Sequence, residues 1–103
     1  MIHPREAAII QEEVAKAFGD RVGVRDEAAL HRALGRPFAR DNGLPAYPTL
    51  FNKVSILLYS LLEARPFEGG NRRTALCIVA LVLRENGYTL HCSAEDVKPL
   101  LQG

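Results

Sequence analysis

The chain has 103 residues and a formal net charge of +1, from 13 Lys+Arg and 12 Asp+Glu; 48% of its residues are hydrophobic and 24% charged. This is the balance of one soluble globular domain, able to bury roughly 60–70% of its unfolded surface around a single core. A net charge so near zero argues against whole-surface attraction to nucleic acid or anionic lipid, and the longest unbroken apolar run, Ala75–Leu83, falls far short of the ~20 residues of a membrane span. Met1-Ile2-His3-Pro4-Arg5 contains no apolar signal core, and Cys77 and Cys92 form neither a metal-ligand spacing nor a disulfide framework. Composition alone therefore gives a cytoplasmic, cofactor-free helical domain, with no direct nucleic-acid or membrane partner. Cys77, inside the apolar run, reads as a buried small hydrophobe rather than a reactive thiol.

Pro4 suits the first turn of a helix that carries Ile10, Val14, Ala17 and Phe18 at helical spacing and stops at Gly19. A second helix is expected from the N-cap Asp26, with Leu30 and Leu34 four apart, ending near Gly35 before Pro37. Residues 37–48, with Pro37, Asp41-Asn42-Gly43, Pro45 and Pro48, read as irregular. Such a segment is either a functional loop or a tolerated surface connection.

Thr49–Ala64 and Thr74–Asn86 are apolar on nearly every side, which places two helices in the middle of the fold. The β-branched content of Cys77–Leu83 allows a strand, but the segment is long and does not alternate. Beyond Asn86-Gly87, Tyr88-Thr89-Leu90 suggests a short extended piece, and Ser93-Ala94-Glu95-Asp96 a capping box that opens a last helix containing Pro99. The fold class is all-α, read as one domain over residues 1–103.

Between the two central helices lies Arg65-Pro66-Phe67-Glu68-Gly69-Gly70-Asn71-Arg72-Arg73-Thr74-Ala75. Paired glycines permit a tight turn, and the amides of the helix start that follows have no internal partners, so they attract anions. Arg72 and Arg73 oppose the helix dipole there, which suggests either a bound phosphate or a pair of solvated surface arginines.

This stretch resembles the signature of the Fic/Doc family, His-Pro-Phe-x-Asp-Gly-Asn-Lys/Gly-Arg-Thr-Ala, and within it the death-on-curing (Doc) toxins. Gly23-Val24-Arg25-Asp26-Glu27 with Leu30 and Leu34, and the run from Thr74-Ala75-Leu76 to Arg84-Glu85-Asn86-Gly87, extend the similarity over roughly residues 2–100. The resemblance implies a compact helical bundle with two central buried helices, ATP and Mg2+ as cofactors, and a toxin–antitoxin pair with a cognate antitoxin as partner. It implies phosphoryl transfer to elongation factor Tu, and hence translation inhibition, in the Doc branch. In the Fic branch it implies AMP transfer. Related proteins often continue into a further helix, against which this domain would be short at its C-terminus.

By the same resemblance Phe67 anchors the loop, Gly70 and Asn71 form the anion hole, and Arg72 and Arg73 bind phosphates. Arg72 stands where Doc has lysine, and Leu76 where Fic enzymes have a second arginine. Residues 37–48 match the flap that docks a protein target by strand-like pairing. Two positions depart from the pattern. Arg65 occupies the place of the catalytic histidine, and an arginine has no acceptor nitrogen with which to act as general base. Gly69 occupies the place of the metal-binding acid, and Glu68 would reach Mg2+ only through a reshaped loop. His3, His31 and His91 lie outside the motif and read as surface or helix residues.

Three readings follow: a Doc-like fold impaired in catalysis, a transferase with altered chemistry in which Arg65 stabilises charge and Glu68 acts as metal ligand or weak base, and a nucleotide-free protein-binding module. The family mechanism loses ~10²–10⁴ in rate with its base alone.

Overall fold

A computed structural model describes residues 1–88. The first helix, α1 (Pro4–Phe18), has His3 as N-cap, whose Nδ1 accepts from the Arg5 amide at 3.0 Å while Glu6 accepts from the His3 amide at 3.2 Å. Gly19, at φ 71°, takes the left-handed turn that ends it. The second helix, α2 (Glu27–Gly35), is capped by Asp26, whose Oδ1 accepts from the Ala29 amide at 3.0 Å. Both helices start and stop where the sequence indicates, and His31 lies exposed on α2.

The segment read as irregular is more ordered than expected. A 3₁₀ turn, Arg36–Phe38, leads into a small antiparallel hairpin, β1 (Arg40–Asp41) and β2 (Leu44–Pro45). Asn42 and Gly43, at φ 51° and 80°, form its two-residue turn. An Asn-Gly pair tolerates two successive positive φ angles, the conformation that matches strand twist in such hairpins. The hairpin is exposed throughout, and the Ala46 amide donates to the Ala39 carbonyl at 2.9 Å to close its base.

The third helix, α3 (Leu50–Ala64), packs on α4 (Asn71–Glu85), and together they form the centre of an all-α bundle. The core combines Leu30 and Leu34 from α2, Val54, Leu57 and Leu61 from α3, Phe67 from the connecting loop, and Ala75, Ile78, Val79, Val82 and Leu83 from α4. No strand forms at Cys77–Leu83, and α4 starts at Asn71, three residues before the expected Thr74.

Two expectations are corrected. The central helices are not apolar-buried on every side: Phe51, Tyr59 and Leu62 of α3 are exposed. Cys77 is exposed as well, because it falls on the face of α4 opposite Ala75, Ile78 and Val82. Desolvation by its surroundings still raises the thiol above its ordinary value, which disfavours thiolate chemistry. The suggested last helix at Ser93–Asp96 and Pro99, and His91, Cys92 and most of Tyr88–Leu90, lie outside the described residues.

Leu57 is fully buried between the central helices, so Leu57→Ala should cost about 2–5 kcal/mol. Leu44→Ser in the exposed hairpin should change stability by no more than about 0.5 kcal/mol. Urea unfolding midpoints of the two variants measure both.

Candidate functional site

The loop between α3 and α4 is fixed from three sides. Phe67 is buried to 1% exposure and anchors it in the core. Asn71 clamps it, its Oδ1 accepting from the Phe67 amide at 2.9 Å and its Nδ2 donating to the Phe67 carbonyl at 3.0 Å. The connection between α1 and α2 then runs antiparallel beside it. Val24 pairs with Phe67, the Glu68 amide donates to the Gly23 carbonyl at 2.9 Å, and the Arg25 and Asp26 amides donate to the Pro66 carbonyl at 2.7 and 3.1 Å.

Gln11 completes this strap. Its side chain, 1% exposed on α1, donates from Nε2 to the Arg21 and Gly69 carbonyls at 2.9 and 3.1 Å and accepts from the Gly23 amide at 3.0 Å. Sequence reading missed Gln11. A polar residue one turn after Ala7 and one turn before Ala15, on the face that faces the bundle, was the available signal.

A cavity of about 160 Å³ opens beside the loop, lined by Leu62, Arg65, Glu68, Gly69, Gly70, Asn71 and Arg72. Of the six residues expected to act here, five are brought together: Arg65, Glu68, Gly70, Asn71 and Arg72. Gly70 is the N-cap of α4, at φ 63°, and no side chain caps the helix. The first amides of α4 therefore start at this cavity with the partial positive charge of a helix N-terminus. Asn71 engages its Oδ1 and one Nδ2–H with the backbone of Phe67.

Arg65 sits at the C-terminal end of α3 in the left-handed region, φ 45° and ψ 58°. For a residue with a Cβ this costs of order 1–2 kcal/mol. Arg25 offsets that cost by donating its guanidinium to the Arg65 carbonyl, and at 3.4 Å to that of Ala64. The Arg65 side chain is exposed on the cavity. A guanidinium there can hold an oxyanion but cannot accept a proton.

Arg73 does not line this cavity. Its Nη1 is 2.9 Å from Asp20 Oδ2, each side chain is 25% exposed, and the guanidinium stacks 4.4 Å over the Phe18 ring. Arg73, expected by resemblance to bind phosphates, is placed in an ion pair with Asp20 that links the end of α1 to α4. The carboxylate of Asp20, distant in sequence, could not be read from the motif.

Asp20 also approaches the two glycines. A Cβ on Gly70 would lie 3.0 Å from Asp20 Oδ2. One on Gly69 would lie 2.9 Å from the Arg21 amide nitrogen and 3.2 Å from the Asp20 Cβ, under and near the limit of real contacts. Position 69 faces the strap, and glycine is what allows the two segments to touch. Glu68 is therefore the sole carboxylate on the cavity, and among the described residues no group of three His, Cys, Asp or Glu side chains is placed to hold a metal ion. The donor set does not fit a magnesium ion held as the family signature holds it.

The Fic/DOC family model matches residues 2–83. The chain belongs to the Fic/DOC family. It is 40% identical over 74 residues to Toxin Doc of Mycolicibacterium smegmatis (strain ATCC 700084 / mc(2)155), a match covering 72% of this chain and 57% of that protein. The chain thus spans a little over half the length of that curated relative. No solved structure matches. The signature stretch falls on the α3–α4 loop and the start of α4, and the hairpin lies within residues 37–48.

Two substitutions probe the strap. Gly69→Asp should lower the melting temperature, since a side chain there must displace the Arg21 backbone. Gln11→Leu should cost several kcal/mol, because it leaves the Arg21 and Gly69 carbonyls and the Gly23 amide without their partner at about 1–3 kcal/mol each. Thermal unfolding of both variants beside the parent chain measures these losses.

Proposed function

We propose that this chain is a Doc-like member of a toxin–antitoxin pair that binds the phosphates of a nucleotide such as ATP but is impaired in transferring them. The observation that carries this reading is the composition of the 160 Å³ cavity: Arg65, Arg72 and the open start of α4 line it, with Glu68 as its one carboxylate. Cationic groups and free amides favour a bound phosphate. The same cavity lacks an acceptor nitrogen at the position of the family's base and a carboxylate at position 69. Phosphoryl transfer depends on positioning and charge stabilisation, so losing both groups compounds the ~10²–10⁴ cost of losing the base.

By family resemblance the acceptor is a hydroxyl of a protein such as elongation factor Tu, and the partner a cognate antitoxin. The relative named Toxin Doc supports the toxin context. Arg72, in place of the glycine of AMP-transferring Fic proteins, favours phosphoryl over AMP transfer.

A second reading, a module that binds protein without nucleotide, draws on the hairpin. Leu44 is 70% exposed and Phe38 52% exposed beside two short strands whose outer edges are open. Such an edge can take up an extended peptide.

Bacterial growth after induction of the parent chain, its Arg65→His variant and an empty vector tests the principal reading. Weak or no arrest by the parent and stronger arrest by Arg65→His is the expected outcome. Full arrest by the parent contradicts the impairment. Arrest by neither, together with no thermal shift on adding ATP, transfers support to the binding module.

A further inference from the structure

A second and larger cleft, of about 380 Å³, lies between α2 and the C-terminal half of α3. It shares no residue with the motif cavity. Ala29 and Ala33 of α2 and Ala64 of α3 keep its floor low, because none has a side chain long enough to fill the space. Ser60 completes that floor. It is 5% exposed, and its Oγ is buried with no hydrogen-bond partner among the described residues. An unpaired buried hydroxyl costs about 1–3 kcal/mol, and alanine would fit the same space without that cost.

The charged residues of the cleft divide into committed and uncommitted groups. Asp26 lends Oδ1 to the Ala29 amide as the cap of α2. Glu63, beside the Tyr59 hydroxyl, raises the Tyr59 pKa. The guanidinium groups of Arg32 and Arg36, four residues apart along the cleft, make no hydrogen bond or ion pair among the described residues. The cleft is lined by two guanidinium groups, the Ser60 hydroxyl and two carboxylates, of which Asp26 is held as the cap of α2.

We propose that this cleft is a separate ligand site for a small molecule bearing a phosphoryl or carboxylate oxyanion, held between Arg32 and Arg36 with the Ser60 hydroxyl donating to it. Guanidinium groups recognise both oxyanions in bidentate fashion, and 380 Å³ leaves room for a body larger than the anion alone. The site does not depend on the nucleotide reading of the motif cavity.

The test is a titration of the ¹⁵N-labelled chain with inorganic phosphate and, separately, with citrate, at constant ionic strength, followed by amide chemical shifts. Three proteins are compared: the parent chain, Ser60→Ala, and the double variant Arg32→Gln/Arg36→Gln. The expected result is saturable movement of the Ala29, Ala33, Ser60 and Ala64 amides with at least one anion. That binding should be about tenfold or more weaker in the double variant and weaker in Ser60→Ala. Preference for phosphate or for citrate then assigns the oxyanion class. Both variants alter exposed or small side chains, and spectra without ligand establish that they fold. Movement confined to Gly69–Arg73, no saturation with either anion, or equal affinity in all three proteins overturns the proposal.

Discussion

The structure depends on the hydrogen-bonded strap between residues 20–26 and residues 66–69, with the Gln11 side chain at its centre. Two short backbone segments about forty residues apart in the sequence meet inside a small domain, and each brings amides and carbonyls that must find partners away from water. Gln11 supplies three of those contacts from one buried amide. The strap joins α1 and α2 to the loop that begins α4, so the geometry of the anion-facing helix start is set by groups outside the motif. Glycine at 69 is part of the same arrangement, since the approach of Arg21 and Asp20 leaves no space for a Cβ. The loss of the acid at this position and the close packing of the strap are one structural fact.

The chemistry of the motif cavity follows from this. Asp20 draws Arg73 away into an ion pair over Phe18, and Arg72 and Arg65 remain on the cavity. The start of α4 is an uncapped helix N-terminus beside Arg65 and Arg72. What this chain gives up is a proton acceptor at 65 and a second carboxylate beside Glu68. Cationic side chains and a helix start line the cavity, and neither an acceptor nitrogen at position 65 nor a carboxylate at position 69 is present. The exposed hairpin precedes the N-terminal end of α3, whereas the cavity lies at its C-terminal end.

Much of the fold was legible because its signals are local. Pro4, Gly19, the Asp26 cap and the Gly35-Pro37 stop act within a few residues of the boundaries they set, and the hydrophobic spacing of α3 and α4 marks the centre of the bundle. The hairpin was missed although Asn42-Gly43 carries a known turn signal, because its flanking strands are only two residues long. Cys77 was misplaced since an unbroken apolar run hides which face of a helix points outward. The roles of Gln11, Asp20 and Phe18 needed contacts spanning about fifty residues, and no spacing rule reports those. At the site, the motif located the cavity and five of its residues, while the fate of Arg73 was decided by a carboxylate elsewhere in the chain.

The most direct test of the account is calorimetric titration of the chain with ADP in magnesium and again in excess EDTA. The account predicts saturable binding of similar affinity in both, weakened by Arg65→Gln and by Arg72→Gln. Binding that needs magnesium would contradict it, because the cavity would then hold a metal ion that its single carboxylate is not arranged to fix. Absence of binding in both conditions would contradict it as well, by removing the phosphate site on which the proposed function rests.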